Sequence, residues 1–541
     1  MTDTPATPAD RPSLLRRFRV PIIAFALPVL LWILVPIRSR FELVPEAAMW
    51  LVMAAMFATE LAILVVLVWF FLFSGYRWRT RGLGLLVLIL VVGTVVAGPR
   101  RWEFGGGMWP VPVFRWDPDL QDELEKRLAK QEGEQPPLTL VDLVILPDDF
   151  PRYRGVNADG IVSWSMQSPD WDAAPPKEKW RTPVGWSYSG IAVAGKALVT
   201  IEQRKNEEAV VCYDRETGKE LWAYKYPAKF QQSPPMGGNG PRATPTICDR
   251  EIYSLGAKGD LVCLDASGAK KWAVNIVEDN GAEVVQWGMT SSPLIVGDLV
   301  VVNAGIDPKN KKNQAVAAYH RKDGTKAWAA GEHPAGYSSP MLATLDGVEQ
   351  IVLFDGDGVA GIDKADGREL WRYPWKTFND MNIIQPLILP GDRIFISSQL
   401  ENGGALLQVK KDGSSWSVDK VWSTKKMASI FSNPVYHEGH IYGLHDMSGR
   451  LCCLDAKTGN RLWLGDEDLR GGQLLLCGST LIVQSENTKE LIAVAADPSE
   501  YRELGRVKVF RGRRTWNTPS LAGGRLYVRN HEEMVCLDLP K

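Results

Sequence analysis

Three long apolar stretches dominate the first hundred residues, at 20–37, 47–73 and 82–98. The first and third contain no charged residue, and the second contains one, Glu60. A helix needs about 20 apolar residues to cross the hydrocarbon core of a membrane. The pattern therefore predicts three transmembrane helices that form an N-terminal membrane anchor over residues 1–98. A cleaved signal peptide is the alternative for the first stretch alone.

Arginines beside these stretches predict the orientation of the anchor. The N-terminal arm and the second loop carry seven arginines, against four in the first loop and after the third stretch. Because basic loops stay in the cytoplasm, we expect a cytoplasmic N-terminus and a periplasmic main domain, on the inner membrane of a bacterium. A carboxylate such as Glu60 is costly within a membrane. It is either a proton or quinone contact, or a protonated side chain bonded to a neighbouring helix.

Residues 99–176 change character and are predicted to form a linker or collar. Asp117 and Pro118 suit the N-cap and the first position of a helix, which the charged sequence DLQDELEKRLAKQ continues. The segment DFPRYRGVNADG, from Asp149 onward, has too many glycines, arginines and turn residues for a regular element. We expect it to pack as an ordered loop on the domain that follows.

From residue 177 the chain repeats one phrase: an apolar strand ends at an acidic residue, turns through a glycine and returns through a tryptophan. The copies CYDRETGKELW, CLDASGAKKW, GIDKADGRELW and CLDAKTGNRLW show it most clearly. Eight anchor positions lie about 46 residues apart on average, close to the length of a propeller blade. These positions are Asp214, Asp265, His320, Asp363, Lys410, Asp455, Asp497 and Asp538.

A second phrase alternates with the first, in which a polar residue is followed by proline and an apolar strand. The polar residues are Thr244, Ser292, Ser339, Gln385, Asn433 and Thr518. Proline suits the first residue of a strand because no ladder donor is needed there. Together the phrases predict a four-stranded blade with a tryptophan on its fourth strand. A buried indole can wedge each blade against the next.

The two ends of the repeat predict a closed ring. The copy at Asp538 lacks a tryptophan strand, and the segment around Trp180 is a tryptophan strand without a preceding copy. Trp180 is therefore expected to complete the eighth blade, because closure removes exposed sheet edges. The predicted fold class is all-β, an eight-bladed β-propeller over residues 177–541 that follows the bundle of three transmembrane helices. A seven-bladed ring is the alternative if the copy at Asp497 forms no blade.

Composition narrows the functional classes. The 541 residues include 62 Lys and Arg against 63 Asp and Glu, so the formal net charge is −1 and no nucleic-acid partner is expected. Seven cysteines are too few for a scaffold built on disulfides. The abundance of tryptophan, 21 residues, is explained in large part by the repeat.

The repeat resembles the tryptophan-docking repeat of the pyrroloquinoline quinone (PQQ) propeller superfamily, and Asp214 and Trp222 match its eight-residue spacing. The segments DFPRYRGVNADG, GPRATPT, WGMTSSPL and TWNTPS look like those of bacterial PQQ-binding-like β-propeller repeat proteins. The superfamily includes quinoprotein alcohol and glucose dehydrogenases. It also includes members without a cofactor, such as the propeller lipoprotein of the outer-membrane β-barrel assembly machine. The resemblance therefore implies the fold and leaves two functional classes open.

Polar, basic and aromatic residues gather in and beside the loops that lead to the pre-proline positions. The candidate ligand-binding residues are Arg242, Thr244, Trp287, Ser292, Asn433, Trp516 and Asn517. On one propeller face they suit a small anionic ligand, for which the resemblance suggests PQQ with Ca²⁺, or an acidic protein partner. Alternatively, such residues only solvate the rim. The sequence shows no Glu, Asn and Asp set with a recognisable calcium spacing, so it assigns no catalytic base and predicts no metal site.

We therefore expect a membrane-anchored periplasmic binding or scaffold module of the cell envelope, because the sequence favours a binding protein over an enzyme. Its partner is an envelope protein or a small anionic ligand. The alternative is a membrane-bound PQQ-dependent dehydrogenase that passes electrons to membrane quinone.

Two further patterns look like functional sites but have simpler explanations. Adjacent Cys452 and Cys453 resemble the vicinal disulfide of some quinoprotein dehydrogenases, yet other copies carry cysteine at the same place, which favours a buried strand thiol. His437, His440 and His445 resemble a zinc motif. An HExxH site needs a helix, whereas this segment falls at a predicted hairpin turn.

Overall fold

The computed structural model describes residues 19–40, 45–104, 110–116, 120–132, 141–164, 166, 170–231, 237–306, 314–399, 402–445, 449–469, 472–512 and 514–540. Contacts divide the chain into two compact units, residues 1–101 with 112–116 and residues 102–111 with 117–541. The predicted helix cap at Asp117 and Pro118 and the arginines before residue 19 lie outside the described residues.

The first unit contains the apolar stretches as helices. They are α1 Arg19–Arg40, α2 Pro45–Val68 and α3 Trp78–Ala97, and a π-helical turn, Trp69–Phe73, extends α2. Two segments, Ala54–Phe73 and Trp78–Val95, are long and apolar enough to cross a membrane. The apolar part of α1, Arg19–Leu34, is shorter. Two of the three predicted spans are therefore long and apolar enough to cross a membrane. The third span and the orientation of the helices stay predictions.

Glu60 lies on an exposed side of α2. Helices α1 and α2 are joined nearby by the Trp32 indole, which donates to Thr59 Oγ1 at 2.9 Å. Among the residues described here, Glu60 itself takes part in no hydrogen bond, and its two predicted roles stay predictions.

The linker contains one well-defined helix. Its elements are β1 Pro99–Phe104, β2 Pro110–Phe114 and α4 Leu120–Glu132. The helix predicted over residues 119–131 is therefore confirmed, shifted by one residue. Leu124 is buried, and Gln121 Nε2 donates to the Val184 carbonyl at 3.1 Å. Helix α4 thus packs as part of the propeller unit.

Eight sheets follow, each with four antiparallel blade strands. The strands are in chain order in blades 1 to 7, whereas blade 8 takes its fourth strand from before blade 1. Blade 1 contains β5 Ala192–Ala194, β6 Ala197–Arg204, β7 Glu207–Asp214 and β8 Glu220–Pro227. Blade 2 contains β9 Thr246–Cys248, β10 Glu251–Leu255, β11 Asp260–Leu264 and β12 Lys270–Asn275, followed by the short helix α5 Ile276–Asn280. Blade 3 contains β13 Leu294–Val296, β14 Leu299–Asn303, β15 Val316–His320 and β16 Lys326–Ala330. Blade 4 contains β17 Met341–Leu345, β18 Val348–Phe354, β19 Gly358–Ile362 and β20 Glu369–Pro374, before a 3-10 turn, Phe378–Asp380.

The second half of the ring repeats the arrangement. Blade 5 contains β21 Leu387–Leu389, β22 Arg393–Ser397, β23 Gly404–Asp412 and β24 Ser415–Thr424. Blade 6 contains β25 Val435–His437, β26 His440–His445, β27 Arg450–Asp455 and β28 Arg461–Leu464. Blade 7 contains β29 Gln473–Cys477, β30 Thr480–Gln484, β31 Glu490–Ala495 and β32 Glu503–Lys508, and the linker strand β3 Ile161–Val162 pairs with β29. Blade 8 contains β33 Ser520–Ala522, β34 Arg525–Arg529, β35 Glu533–Asp538 and β4 Lys177–Pro183.

The ring is closed as the sequence predicts. Strand β4, from before blade 1, pairs antiparallel with the last strand β35, and Cys536 lies opposite Trp180. The first strands of blades 8, 1, 2, 3 and 4 contact one another in turn, as do those of blades 5, 6 and 7. The first strands therefore surround the central channel. The eight-bladed prediction is confirmed, and the copy at Asp497 does form a blade.

A tryptophan faces a small or apolar residue just before a β-bulge in seven of the blades. The pairs are Cys212 with Trp222, Cys263 with Trp272, Ala318 with Trp328, Gly361 with Trp371, Leu406 with Trp422, Cys453 with Trp463 and Cys536 with Trp180. In blade 7, Gly505 takes the place of the tryptophan, opposite Ala493. The cysteines of the repeat are therefore the partners of the docking indoles.

Indoles also lie over the turn glycine of the next blade. The pairs are Trp180 with Gly218, Trp222 with Gly268, Trp272 with Gly324, Trp328 with Gly367 and Trp422 with Gly459. Several indoles donate to a carbonyl of that turn, as Trp272 Nε1 does to Arg321 at 2.7 Å. The predicted wedge between blades is thus a specific contact that leaves no room for a Cβ.

We expect Gly324→Ala to lower the free energy of unfolding by about 2–4 kcal/mol, from backbone strain and overpacking together. Gly324 has φ of +74°, and an added Cβ would lie 2.6 Å from Cε3 of Trp272. Gly413 is the matched control, because it has φ of +58° but nothing within 4 Å of an added Cβ. Gly413→Ala should cost only the strain, about 1 kcal/mol. Equal losses in urea unfolding would contradict the docking role of Trp272.

The linker runs through the channel along the first strands. Phe150 forms a β-bridge with Val193 of blade 1, and Pro151 accepts the Ile247 amide of blade 2 at 2.8 Å. Farther on, β3 pairs in parallel with β29 of blade 7 through Ile161 and Leu476. The segment predicted as an ordered loop on the propeller is therefore confirmed, and it fills part of the channel.

Candidate functional site

The first strand of every blade begins on one side of the disc, which we call the proline face. The opposite side, where the acidic residue and glycine turns lie, is the turn face. All seven candidate residues belong to the segments that end at the proline face, immediately before or within the pre-proline positions. The fold therefore gathers them on one face, as the repeat spacing predicts.

The pre-proline residues link neighbouring blades. The Thr244 hydroxyl accepts the Gly190 amide at 2.9 Å, and the Ser292 hydroxyl accepts the Thr244 amide at 2.9 Å. The Ser339 hydroxyl accepts the Ser292 amide at 2.8 Å. Asn433 Oδ1 accepts the amide of Gln385 in the same way, at 2.7 Å. These side chains are buried, so one of their functions is to tie each blade to the next.

Asn517 reinforces the seam between the last blade and the first. Its Nδ2 donates to the carbonyls of Ser187 and Ser189, at 3.2 and 2.7 Å. Both carbonyls lie in the segment that leads from β4 into blade 1. Four of the seven candidate residues, Thr244, Ser292, Asn433 and Asn517, thus make blade-to-blade hydrogen bonds through their side chains.

Arg242 organises its own loop. Its guanidinium lies over the rings of Tyr188 and Phe230, at 4.9 and 5.5 Å from the ring centres. It donates to the carbonyls of Gly240 and Gly237, at 3.0 and 2.7 Å. Burial lowers the pKa of Arg242 to about 10. The group remains positive at neutral pH and places a fixed charge among aromatic rings.

Tyr188 and Phe230 belong to a group of aromatic side chains on the proline face that we call the rim. Its members come from six different interblade segments: Tyr188, Phe230, Trp287, Tyr337, Phe431 and Trp516. Trp516 stacks on Phe431 at 5.1 Å and packs against Tyr188 at 5.4 Å. Trp287 meets Tyr337 edge-on at 5.4 Å. Trp287, Phe431 and Trp516 are half-buried, so each presents part of its ring to solvent.

Glu486 fixes one side of the rim. Its Oε2 accepts the Trp516 indole at 2.9 Å, and its Oε1 accepts the Arg514 amide at 2.9 Å. Sequence reasoning found Trp516 but missed Glu486, Tyr188, Phe431 and Tyr337. Single residues in loops of unequal length have no fixed spacing within the repeat, so only the closed ring shows that they meet.

The donors needed for a calcium-dependent quinone cofactor are not assembled in the described part of the chain. No group of three or more His, Cys, Asp or Glu side chains converges there as metal ligands. The basic and aromatic residues would suit the anionic quinone, but its metal lacks a carboxylate set. The described residues therefore assemble no acidic ligand set for Ca²⁺ beside a quinone, and we derive no reaction through PQQ.

The histidine and cysteine patterns have structural explanations. His437 and His440 face each other across the first hairpin of blade 6, and His445 is buried at the end of β26, where its Nδ1 accepts the Ala428 amide at 3.2 Å. Cys452 and Cys453 are buried thiols that form no disulfide. Burial raises the pKa of Cys453 to about 12, so it is an unreactive strand thiol, as predicted.

Comparisons with known proteins identify one matching family model and several solved structures of low similarity. The PQQ_2 family model, described as outer membrane protein assembly factor BamB, matches residues 153–240 and 207–465. The solved BamB from Moraxella catarrhalis is 15% identical with a TM-score of 0.48, over 67% of this chain and 100% of that chain. A europium-containing methanol dehydrogenase is 12% identical with a TM-score of 0.45, over 74% and 100%. Quinohemoprotein alcohol dehydrogenase from Comamonas testosteroni is 11% identical with a TM-score of 0.43, over 73% and 82%. No curated protein sequence matches the chain significantly.

Proposed function

Because the chain belongs to the PQQ_2 family, described as outer membrane protein assembly factor BamB, we propose that its propeller is a binding module of the cell envelope. The module docks a protein partner on the proline face. The observation that carries this proposal is the rim, in which aromatic side chains from six interblade segments lie on one face and two of them contact Arg242. Aromatic residues and arginine are the side chains most enriched where proteins bind one another.

The rigidity of the rim supports a docking role. Glu486 holds the Trp516 indole, Arg242 holds its own loop, and the pre-proline side chains tie the blades below. A preorganised surface loses little conformational entropy on binding. The positive charge of Arg242 favours an acidic partner or a small anionic ligand at the same place. The seven candidate residues keep their proposed roles at this site, with Thr244, Ser292, Asn433 and Asn517 as its structural base.

We propose that the N-terminal unit anchors this module in the bacterial inner membrane. The two apolar helices α2 and α3 support a membrane anchor by their length and composition. The surplus of arginines beside the N-terminal arm and the second loop supports a cytoplasmic N-terminus. With α1 as the third span, over about residues 20–37, the propeller lies in the periplasm, where an envelope partner is accessible.

We expect a photo-reactive amino acid at position 284 to form adducts with an envelope protein in living cells. Val284 is exposed in the rim segment that carries Trp287. Position 457 is the matched control, because Lys457 is exposed at the opposite turn face. Denaturing gels after irradiation should show adducts from position 284 alone, and Trp516→Ala should reduce them at least tenfold.

Two outcomes would contradict the docking role. Equal adducts from positions 284 and 457 would show that the proline face is not selective. Retention of added PQQ and Ca²⁺ by the purified protein, with dye-linked oxidation of an alcohol or sugar, would instead support the alternative of a membrane-bound quinoprotein dehydrogenase.

A further inference from the structure

The central channel contains a cavity beneath the pre-proline ring. It lies between the linker and the segments that begin blades 2 to 5. Its polar lining comes from Arg152, Tyr153, Asn157, Thr246, Ser292, Ser339 and Gln385. Asn157 is exposed, so the cavity communicates with solvent at that point. None of the six rim residues lines it, and Ser292 is the residue that it shares with the structural base of the docking surface.

Arg152 of the linker lines the cavity, Arg154 lies beside it, and the Asp159 carboxylate acts on both guanidinium groups through space. Arg152 Nε donates to a backbone carbonyl at 3.0 Å, and Arg154 Nη2 donates to two backbone carbonyls at 2.7 Å. In the described part of the chain neither forms an ion pair, and the Asp159 carboxylate nearby accepts a backbone amide instead. Arg154 is 1% exposed and its Nη1 has no partner. Since buried charges are normally paired, the channel favours an anion.

Three hydroxyl groups on the cavity wall have protons to donate. The Ser292 hydroxyl accepts the Thr244 amide, and the Ser339 hydroxyl accepts the Ser292 amide. The Tyr153 hydroxyl accepts Asn433 Nδ2 at 2.7 Å. Each oxygen is the acceptor in its bond, and none donates to another group among the described residues. Their protons are therefore free for the oxygens of a ligand.

Gln385 supplies a hydrogen-bond acceptor to the cavity. Its Nε2 donates to the Ser339 carbonyl at 3.3 Å, while its Oε1 is buried without a hydrogen-bond partner. Gln385 is 1% exposed, and an unsatisfied buried acceptor costs about 1–3 kcal/mol. The Gln385 Oε1 atom can only accept a hydrogen bond, whereas the hydroxyls and Arg152 around it donate. The cavity therefore favours an anion that still carries a proton to donate to Oε1. A fully deprotonated anion would face this oxygen with lone pairs only.

We propose that the channel cavity binds a protonated tetrahedral oxyanion, of which inorganic phosphate is the common example. Arg152 and the three hydroxyls bind its oxygens, and Gln385 Oε1 accepts its P–OH proton. Sulfate has the same shape and size but carries no proton at neutral pH, so it is discriminated against. This site goes beyond the proposed function, because ligand binding in the channel uses none of the rim.

Calorimetric titration of the purified full-length protein tests the proposal. Phosphate should bind saturably, and sulfate at equal ionic strength at least tenfold more weakly. Arg152→Gln should weaken phosphate binding at least tenfold. Arg368→Gln is the matched control, because Arg368 is a 65% exposed arginine of the turn face outside the channel, and it should bind phosphate as the wild type does.

A second variant distinguishes a lost ligand contact from misfolding of the linker. Tyr153→Phe removes one donated proton and keeps the ring, and it should weaken phosphate binding several-fold at an unchanged thermal midpoint. Phosphate heats that do not saturate, equal affinity for sulfate, or an equal loss in Arg368→Gln would each overturn the proposal. The phosphate titrations and the cross-linking at position 284 are separate measurements, so failure of one proposal leaves the other to be judged by its own test.

Discussion

Replacement of Trp180 by alanine in the full chain is expected to lower the free energy of unfolding by about 3–5 kcal/mol, as for other buried tryptophans. Trp180 lies over Gly218 of blade 1, and its indole donates to the Arg215 carbonyl at 3.2 Å. The same residue faces Cys536 across the seam at which a strand from before blade 1 completes the last blade. Its loss therefore weakens the closure as well as one blade contact.

Trp222→Ala is the matched control for this prediction. Trp222 makes the equivalent contact between blades 1 and 2, where it lies over Gly268 and faces Cys212. Both variants should lose similar stability in urea unfolding. Only Trp180→Ala should accelerate hydrogen exchange in strands β4 and β35, because only that variant loosens the seam. Equal protection of these strands in the two variants would show that closure does not depend on Trp180.

The fold could be predicted from the sequence because blade docking requires a tryptophan at a regular spacing. Because each tryptophan must meet a turn glycine of the next blade, the tryptophans recur at a regular spacing in the sequence. Trp180 fits this pattern, although it is distant along the chain from Asp538, the last residue of the strand with which its own strand pairs. Blade 7 breaks the pattern, since Gly505 replaces the indole. There Trp171 of the linker is buried in a core cluster with residues of blades 7 and 8, and its amide bonds to the Leu504 carbonyl at 2.7 Å.

The site could be predicted only in part. The sequence correctly indicates that polar and aromatic residues share the proline face. It does not show that Thr244 and Ser292 accept backbone amides from neighbouring blades, because a hydroxyl beside a proline is compatible with either a ligand or a structural partner. The path of the linker through the channel was also beyond the sequence, since Arg154 binds the carbonyl of Pro434, 280 residues away.

Between pH 5 and pH 8 the propeller is expected to lose about 3 kcal/mol of stability through one carboxyl group, Glu208. Glu208 is fully buried, accepts the Tyr226 hydroxyl at 2.7 Å and accepts the Ala257 amide of blade 2 at 3.1 Å. Burial raises its pKa from 4.5 to about 7. Below pH 4.5 the group is protonated in both states, and its contribution to stability is fully present. As the pH rises to 7 the unfolded chain releases the proton first, so the folded state loses its advantage.

Glu208→Gln should remove this pH dependence. Glutamine has the shape of the protonated acid, since its Oε1 can accept the Ala257 amide while its Nε2 donates to the Tyr226 hydroxyl oxygen. The thermal midpoint of the wild type should fall from pH 5 to pH 8 by several degrees more than that of Glu208→Gln. Glu207→Gln is the matched control, because Glu207 precedes it on the same strand but is exposed, and it should follow the wild type. A pH profile shared by all three proteins would show that the contact between blades 1 and 2 does not depend on the protonation of Glu208.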